Sequence, residues 1–230
     1  MRERKEPEPP KETSVTTVEP SKKTTTSILR RLIELDTAWS LHIHTICQPF
    51  PRSVLKTLEI SGDGRFWFPI PVALFFSPVA SKSNQLGSIL IGLFIGFLLD
   101  LALVGLIKYL IRRPRPVYNK GMHLTVSVDH WSFPSGHSSR VSFIAAFLYF
   151  SAASIGEALV QLTASGDEFV SRWIDSESKT IQLFILAVCL WSAATSVSRI
   201  LLGRHFVFDV TAGACLGVLE ALIVIKLFKF

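Results

Sequence analysis

Cysteine is scarce in this chain, with three among 230 residues. Cys47, Cys189 and Cys215 form no CxxC pair, no zinc spacing and no C-terminal CaaX box, so no disulfide framework, zinc module or prenylation is expected. Two of them lie inside apolar runs and read as reduced packing residues. Charge is thin as well, at 18% of residues. The acidic residues are scattered: Asp100 and Asp209 have no carboxylate neighbours in sequence, so a magnesium site lacks ligands and no metal or cofactor is expected. The first 27 residues hold no apolar run, so no cleavable signal is expected. Internal repeats are missing, and the length leaves no room for a soluble second domain.

Hydrophobic residues, in contrast, make up 49% of the chain. They fall into runs that read as five spans, about 66–80, 86–111, 138–160, 180–202 and 206–226. The run 86–111 exceeds the roughly 20 residues needed to cross a bilayer, with only Asp100 and Lys108 charged inside it. The run 66–80 is shorter and carries three prolines. The run 138–160 is dotted with serine and alanine, which let membrane helices approach closely. The expected fold is therefore all-α, a polytopic membrane bundle of about five helices. Three stretches are expected: a disordered tail over 1–27, amphipathic interfacial helices over 28–65, and a membrane domain over 66–230. In the second stretch Ile28, Leu29, Leu32, Ile33 and Leu35 interleave with Arg30, Arg31 and Glu34. A polar loop, Gln161–Lys179, carries Asp167, Glu168, Asp175 and Glu177.

The formal net charge of +6 raises the question of nucleic acid. The basic residues form no soluble patch, however. They gather in the tail and at the ends of apolar runs, so the expected partner is a lipid bilayer and not nucleic acid. Five crossings would bring the ends of spans two and four and the starts of spans three and five to one side, together with the N-terminus. By the positive-inside rule that side would be cytoplasmic.

Three short blocks occupy those four ends. In Lys108–Pro116, Lys108 ends a long helix, and Pro114 and Pro116 force Arg113 and Arg115 toward extended backbone. Lys108 and Arg115 can then aim at one anion, a point charge beside a bidentate fork. Arg112 and Arg113 fit a topology anchor equally well. In Pro134–His137, Ser135 or Ser138 can cap a helix, Gly136 permits close backbone approach, and the helix start attracts phosphate. His137 stands beside that position, suited to protonate a leaving oxygen. In Ser198–Asp209, Arg199 closes one span, Gly203 turns, and His205 opens the next. Asp209 follows His205 by four residues on one helical face, where it can orient the imidazole as a nucleophile.

Together the blocks read Lys108, six residues, Arg115-Pro116; Pro134-Ser135-Gly136-His137; Ser198-Arg199, five residues, His205, three residues, Asp209. This pattern resembles the signature of the type 2 phosphatidic acid phosphatase (PAP2) superfamily over roughly residues 86–226. Leu58–Gly64 (LEISGDG) and Ser127–His137 (SVDHWSFPSGH) resemble the branch of polyisoprenoid diphosphate and presqualene diphosphate phosphatases and plant lipid phosphate phosphatases of the beta type. The resemblance implies a metal-independent phosphohydrolase acting on a membrane lipid. In it His205 attacks phosphorus, Asp209 orients His205 and His137 serves the leaving group. Lys108, Arg115, Arg199, Ser135 and Gly136 would hold the phosphate. Phosphatidic acid-type lipids and prenyl diphosphates are the expected substrates, in the endoplasmic reticulum. A lipid phosphotransferase and a non-catalytic scaffold are the competing readings. A vanadate haloperoxidase shares the phosphate-site pattern, but those enzymes are soluble.

Overall fold

The computed structural model describes residues 25–118, 130–164 and 178–229. The chain divides into two units, 1–34 and 35–230. In the first, helix α1 (Thr25–Ile46) begins, and an exposed Arg30–Glu34 pair at 2.9 Å supports it at helical i,i+4 spacing. Of the tail expected over 1–27, residues 1–24 lie outside the described residues, while Thr25 to Ser27 already belong to α1.

The second unit holds the rest of α1 and helices α2 (Arg52–Ser61), α3 (Gly64–Trp67), α4 (Pro69–Phe75), α5 (Asn84–Ile111), α6 (Gly136–Phe150), α7 (Ala152–Ala164), α8 (Ser178–Leu201) and α9 (Val207–Phe228). The described residues are all-α apart from turns and one isolated bridge between Pro114 and Trp131. Three helices are long and apolar enough to cross a membrane: α5, α8 from Lys179, and α9. The pair α6 and α7 makes a fourth if counted as one broken span.

The span count differs from five for a local reason. Pro69, Pro71 and Pro78 each lack an amide hydrogen, so 66–80 forms α3, α4 and a 3-10 turn (Ala80–Lys82) instead of one span. This segment still carries the chain from the arginine-bound Glu59 to Ser83, which meets Gln161 of α7 at 2.6 Å. The third expected span also breaks: α6 and α7 meet at Ser151 with a 67° bend. Helices enter both ends of the expected loop 161–179, and its four acidic residues lie outside the described residues.

α5 starts on a Ser83 cap and ends at Arg112, whose left-handed φ of 52° precedes Pro114. At 1.5 Å per residue it is about 42 Å long, more than the hydrocarbon thickness. Leu101, Leu110, Leu190, Leu219 and Leu227 point outward from the bundle, which is the pattern expected where lipid is the solvent. Phe97, Phe143, Ile144, Phe147, Ala221 and Val224 form the interior. Glycines decide how close the helices come. A Cβ on Gly217 would lie 2.0 Å from the Ser139 carbonyl oxygen, and one on Gly213 would lie 2.4 Å from that of Ser135. α9 therefore seats its Gly213–Gly217 edge directly on the backbone of α6.

Candidate active site

This close seating puts the first turns of α6 and α9 side by side, and the Ser135 amide donates to the Asp209 carbonyl at 2.9 Å. The 112–116 segment joins them. Ser132 donates its amide to the Arg113 carbonyl at 2.8 Å, and Arg115 donates to the Arg204 carbonyl at 2.9 Å. Between α8 and α9 the chain turns at Gly203, where φ is 72° and a Cβ would strike the Tyr118 ring at 2.8 Å. The amides of Arg204 and His205 both donate back to the Arg199 carbonyl, closing the turn.

His205 is almost fully enclosed, at 2% exposure. Its Nδ1 lies 2.8 Å from the Ser132 carbonyl oxygen and its Nε2 lies 3.2 Å from an Arg115 guanidinium nitrogen. A carbonyl can only accept, so Nδ1 carries the proton and Nε2 keeps its lone pair. Burial first, then Arg115, Arg199 and Lys108, hold this imidazole well below the ordinary 6.5, and the Ser132 hydrogen bond only partly opposes them. The ring is neutral at physiological pH.

Asp209, expected to orient this imidazole, does not accept a hydrogen bond from it. Its Oδ2 is 3.7 Å from Nδ1, beyond hydrogen-bond reach. The Ser132 carbonyl takes that position. Asp209 Oδ2 accepts instead from the Phe206 amide at 2.9 Å, and Oδ1 accepts from Arg113 at 2.7 Å. Arg113 is no surface anchor. Its other fork nitrogen reaches Asp36 at 2.7 Å, and its guanidinium carbon sits 4.0 Å above the centre of the Phe206 ring.

His137 occupies the first turn of α6, and its Nε2 is buried without a hydrogen-bond partner among the described residues. It lies within electrostatic reach of Arg199, His205 and Arg115. Ser135 caps the same helix and is fully buried, and Gly136 approaches Val104 so closely that a Cβ would come within 3.3 Å. Lys108, 4% exposed, donates to the Trp131 carbonyl at 2.8 Å. Arg199, fully buried at the end of α8, meets Glu59 of α2 at 2.5 Å, and Arg204 meets the same carboxylate oxygen at 3.3 Å. Burial raises the Glu59 carboxyl, but the two arginines outweigh it and hold the group below the ordinary carboxylate value.

The structure thus gathers Lys108, Arg115, Ser135, Gly136, His137, Arg199, His205 and Asp209 at one end of the bundle. It adds four groups that the spacing pattern did not assign: Glu59, Arg113, the Ser132 carbonyl and Asp36. Glu59 falls inside LEISGDG, so a signal was present there without a role attached. A backbone carbonyl leaves no signal at all. Two imidazoles within a shell of cations can hold an anion and exchange protons or a covalent bond with it.

Comparison with known proteins gives the family and the fold. The sequence model of the PAP2 superfamily matches residues 86–230. The chain is 42% identical over 214 residues to the probable lipid phosphate phosphatase beta of Arabidopsis thaliana, covering 91% of this chain and 96% of that one. Its fold is similar to the crystal structure of the first transmembrane PAP2 type phosphatidylglycerolphosphate phosphatase from Bacillus subtilis. The TM-score is 0.64 and the identity 24%, over 86% of this chain and 87% of the other.

Proposed function

The chain belongs to the PAP2 superfamily, and from that premise we propose that this integral-membrane phosphatase hydrolyses lipid phosphates through a phosphohistidine on His205, with no metal ion. The observation that carries the reading is the His205 ring, held by the Ser132 carbonyl at Nδ1 so that the Nε2 lone pair faces Arg115. Nε2 attacks phosphorus and the bond to the lipid oxygen breaks. His137 protonates that oxygen, then draws a proton from the water that cleaves the phosphohistidine. Lys108, Arg115, Arg199, Ser135 and the Gly136 amide balance the charge on the equatorial oxygens. Asp209 orients His205 through the Phe206 amide and Arg113 and not by direct contact. Phosphate entering the site exchanges with the Glu59 carboxylate on Arg199.

Phosphatidic acid-type lipids and prenyl diphosphates are the substrates we assign. An apolar cavity of about 660 Å³ between α5, α6, α7 and α8, lined by Leu90, Leu93, Ile144, Leu162, Val188 and Trp191, supports a substrate with a long hydrocarbon tail. The outward apolar side chains of α1, Leu35, Trp39, Leu41 and Ile46, support its lying at the membrane interface. We assign the protein to the endoplasmic reticulum with its motif face toward the cytoplasm.

Purified protein in EDTA, given phosphatidate and a prenyl diphosphate, should release phosphate, and His205→Ala should abolish the release. Activity lost in EDTA, or retained by His205→Ala, overturns the mechanism.

A further inference from the structure

α9 begins on Phe206, whose side chain cannot accept a hydrogen bond, so its first amides need partners from elsewhere. Phe206 donates to Asp209 of the same helix. The next two amides go to another helix: Val207 to the Ser40 hydroxyl at 2.9 Å and Phe208 to Asp36 Oδ1 at 3.0 Å. Asp36, Ser40 and His44 recur every four residues along one face of α1 and are all buried, at 1%, 0% and 5% exposure. His44 continues the line, its Nδ1 2.8 Å from the Leu201 carbonyl at the end of α8 and its ring stacked on Tyr118. Asp36 also grips Arg113, which grips Asp209. One polar stripe of α1 therefore holds the end of α8, the start of α9 and the Arg113 bridge, the three supports of His205.

We infer that Asp36 and Ser40 are positioning residues for the reaction, capping α9 from α1 and, through Arg113, fixing Asp209 and the His205 ring. Their hydrogen bonds to the Val207 and Phe208 amides and to Arg113 run to groups outside the proposed phosphate-holding set. Their loss should therefore slow phosphoryl transfer while leaving substrate binding in place. The inference rests on His205 being the nucleophile.

The test compares wild type, Asp36→Asn, Ser40→Ala and His205→Ala, each purified whole in detergent and assayed on phosphatidate in mixed micelles. Asp36→Asn keeps an acceptor for the Phe208 amide but loses the charge facing Arg113. We expect its kcat to fall roughly 10- to 100-fold, the scale of a small displacement of a reacting group, with KM and inhibition by inorganic phosphate unchanged within about two-fold. Ser40→Ala should show the same split with a smaller fall. Melting temperature separates this from simple unfolding. A kcat within about two-fold of wild type in both variants, or a loss that tracks a lower melting temperature and returns on cooling, overturns the inference. Activity retained by His205→Ala overturns the nucleophile assignment itself, so the two failures are distinguishable.

Discussion

At the scale of single residues, the nucleophile proposed at His205 needs a neutral ring, and burial together with the cations around it favours that form. Removing Arg115, the largest of the charged influences after burial, should move the His205 titration upward toward 6.5, measured by ring NMR in the Arg115→Gln protein with His205→Ala for assignment. The same depression has a sign for stability. The unfolded chain takes up this proton near pH 6.5, whereas the folded protein does so only well below it. Stability should therefore fall as pH drops through that window, seen as a declining melting temperature that is less steep in His205→Ala. Arg113 is the more severe position. Arg113→Met would leave Asp36 and Asp209 as two fully buried carboxylates without their cation, a loss of about 3–5 kcal/mol on the scale of broken buried pairs. Thermal unfolding checks it. Lys is a poor substitute there, because a single ammonium cannot fork to both carboxylates.

At the scale of elements, the contact between α6 and α9 is set by the absence of side chains. Gly217→Ala would place a methyl 2.0 Å from the Ser139 carbonyl and 2.7 Å from the Phe143 amide, both backbone atoms that cannot rotate away. The helices must separate, at about 1–3 kcal/mol or more, and the Ser135–Asp209 link between the two site-bearing turns should loosen with them. A fall in both melting temperature and activity is expected, larger than for Gly105→Ala, where a Cβ meets nothing within 4 Å. The glycine spacing was visible in the chain, but which helix it faced was not. The start of α9 illustrates a deeper limit. Local capping chemistry fails at Phe206, and the partners that replace it, Ser40 and Asp36, lie 167 and 172 residues away. An amphipathic stripe reads alike whether its polar side faces water or another helix. In α1 the polar stripe faces the protein, and Trp39 and Leu41 face outward.

At the scale of the whole molecule, sidedness follows from connectivity. The Asp36 contact ties the middle of α1 to the start of α9, so the chain around residue 36 lies at the same end of the bundle as His205. In sealed vesicles, a protease site placed in the exposed turn after α1, at Gln48, should be cut from the side on which a soluble phosphate analogue inhibits the enzyme. Cutting only from the opposite side would contradict that arrangement. The proline-broken segment 64–83 then carries the chain in short helices from that end to the start of α5 at the other end of the bundle.

The residue pattern alone determined the family resemblance, the helical membrane class and most of the residues proposed for the chemistry. Spans must be apolar to enter hydrocarbon, and a cationic, imidazole-bearing phosphate site needs particular side chains at regular offsets from helix ends. Those requirements leave letters in order along the chain. Only the tertiary structure decided who holds whom. It gave the Nδ1 proton of His205 to the Ser132 carbonyl, set Arg113 between two carboxylates, and laid Glu59 on Arg199 and Arg204. Each pairing joins residues at least 73 positions apart in sequence, and one uses a backbone atom shared by every residue type, so no local spacing encodes it.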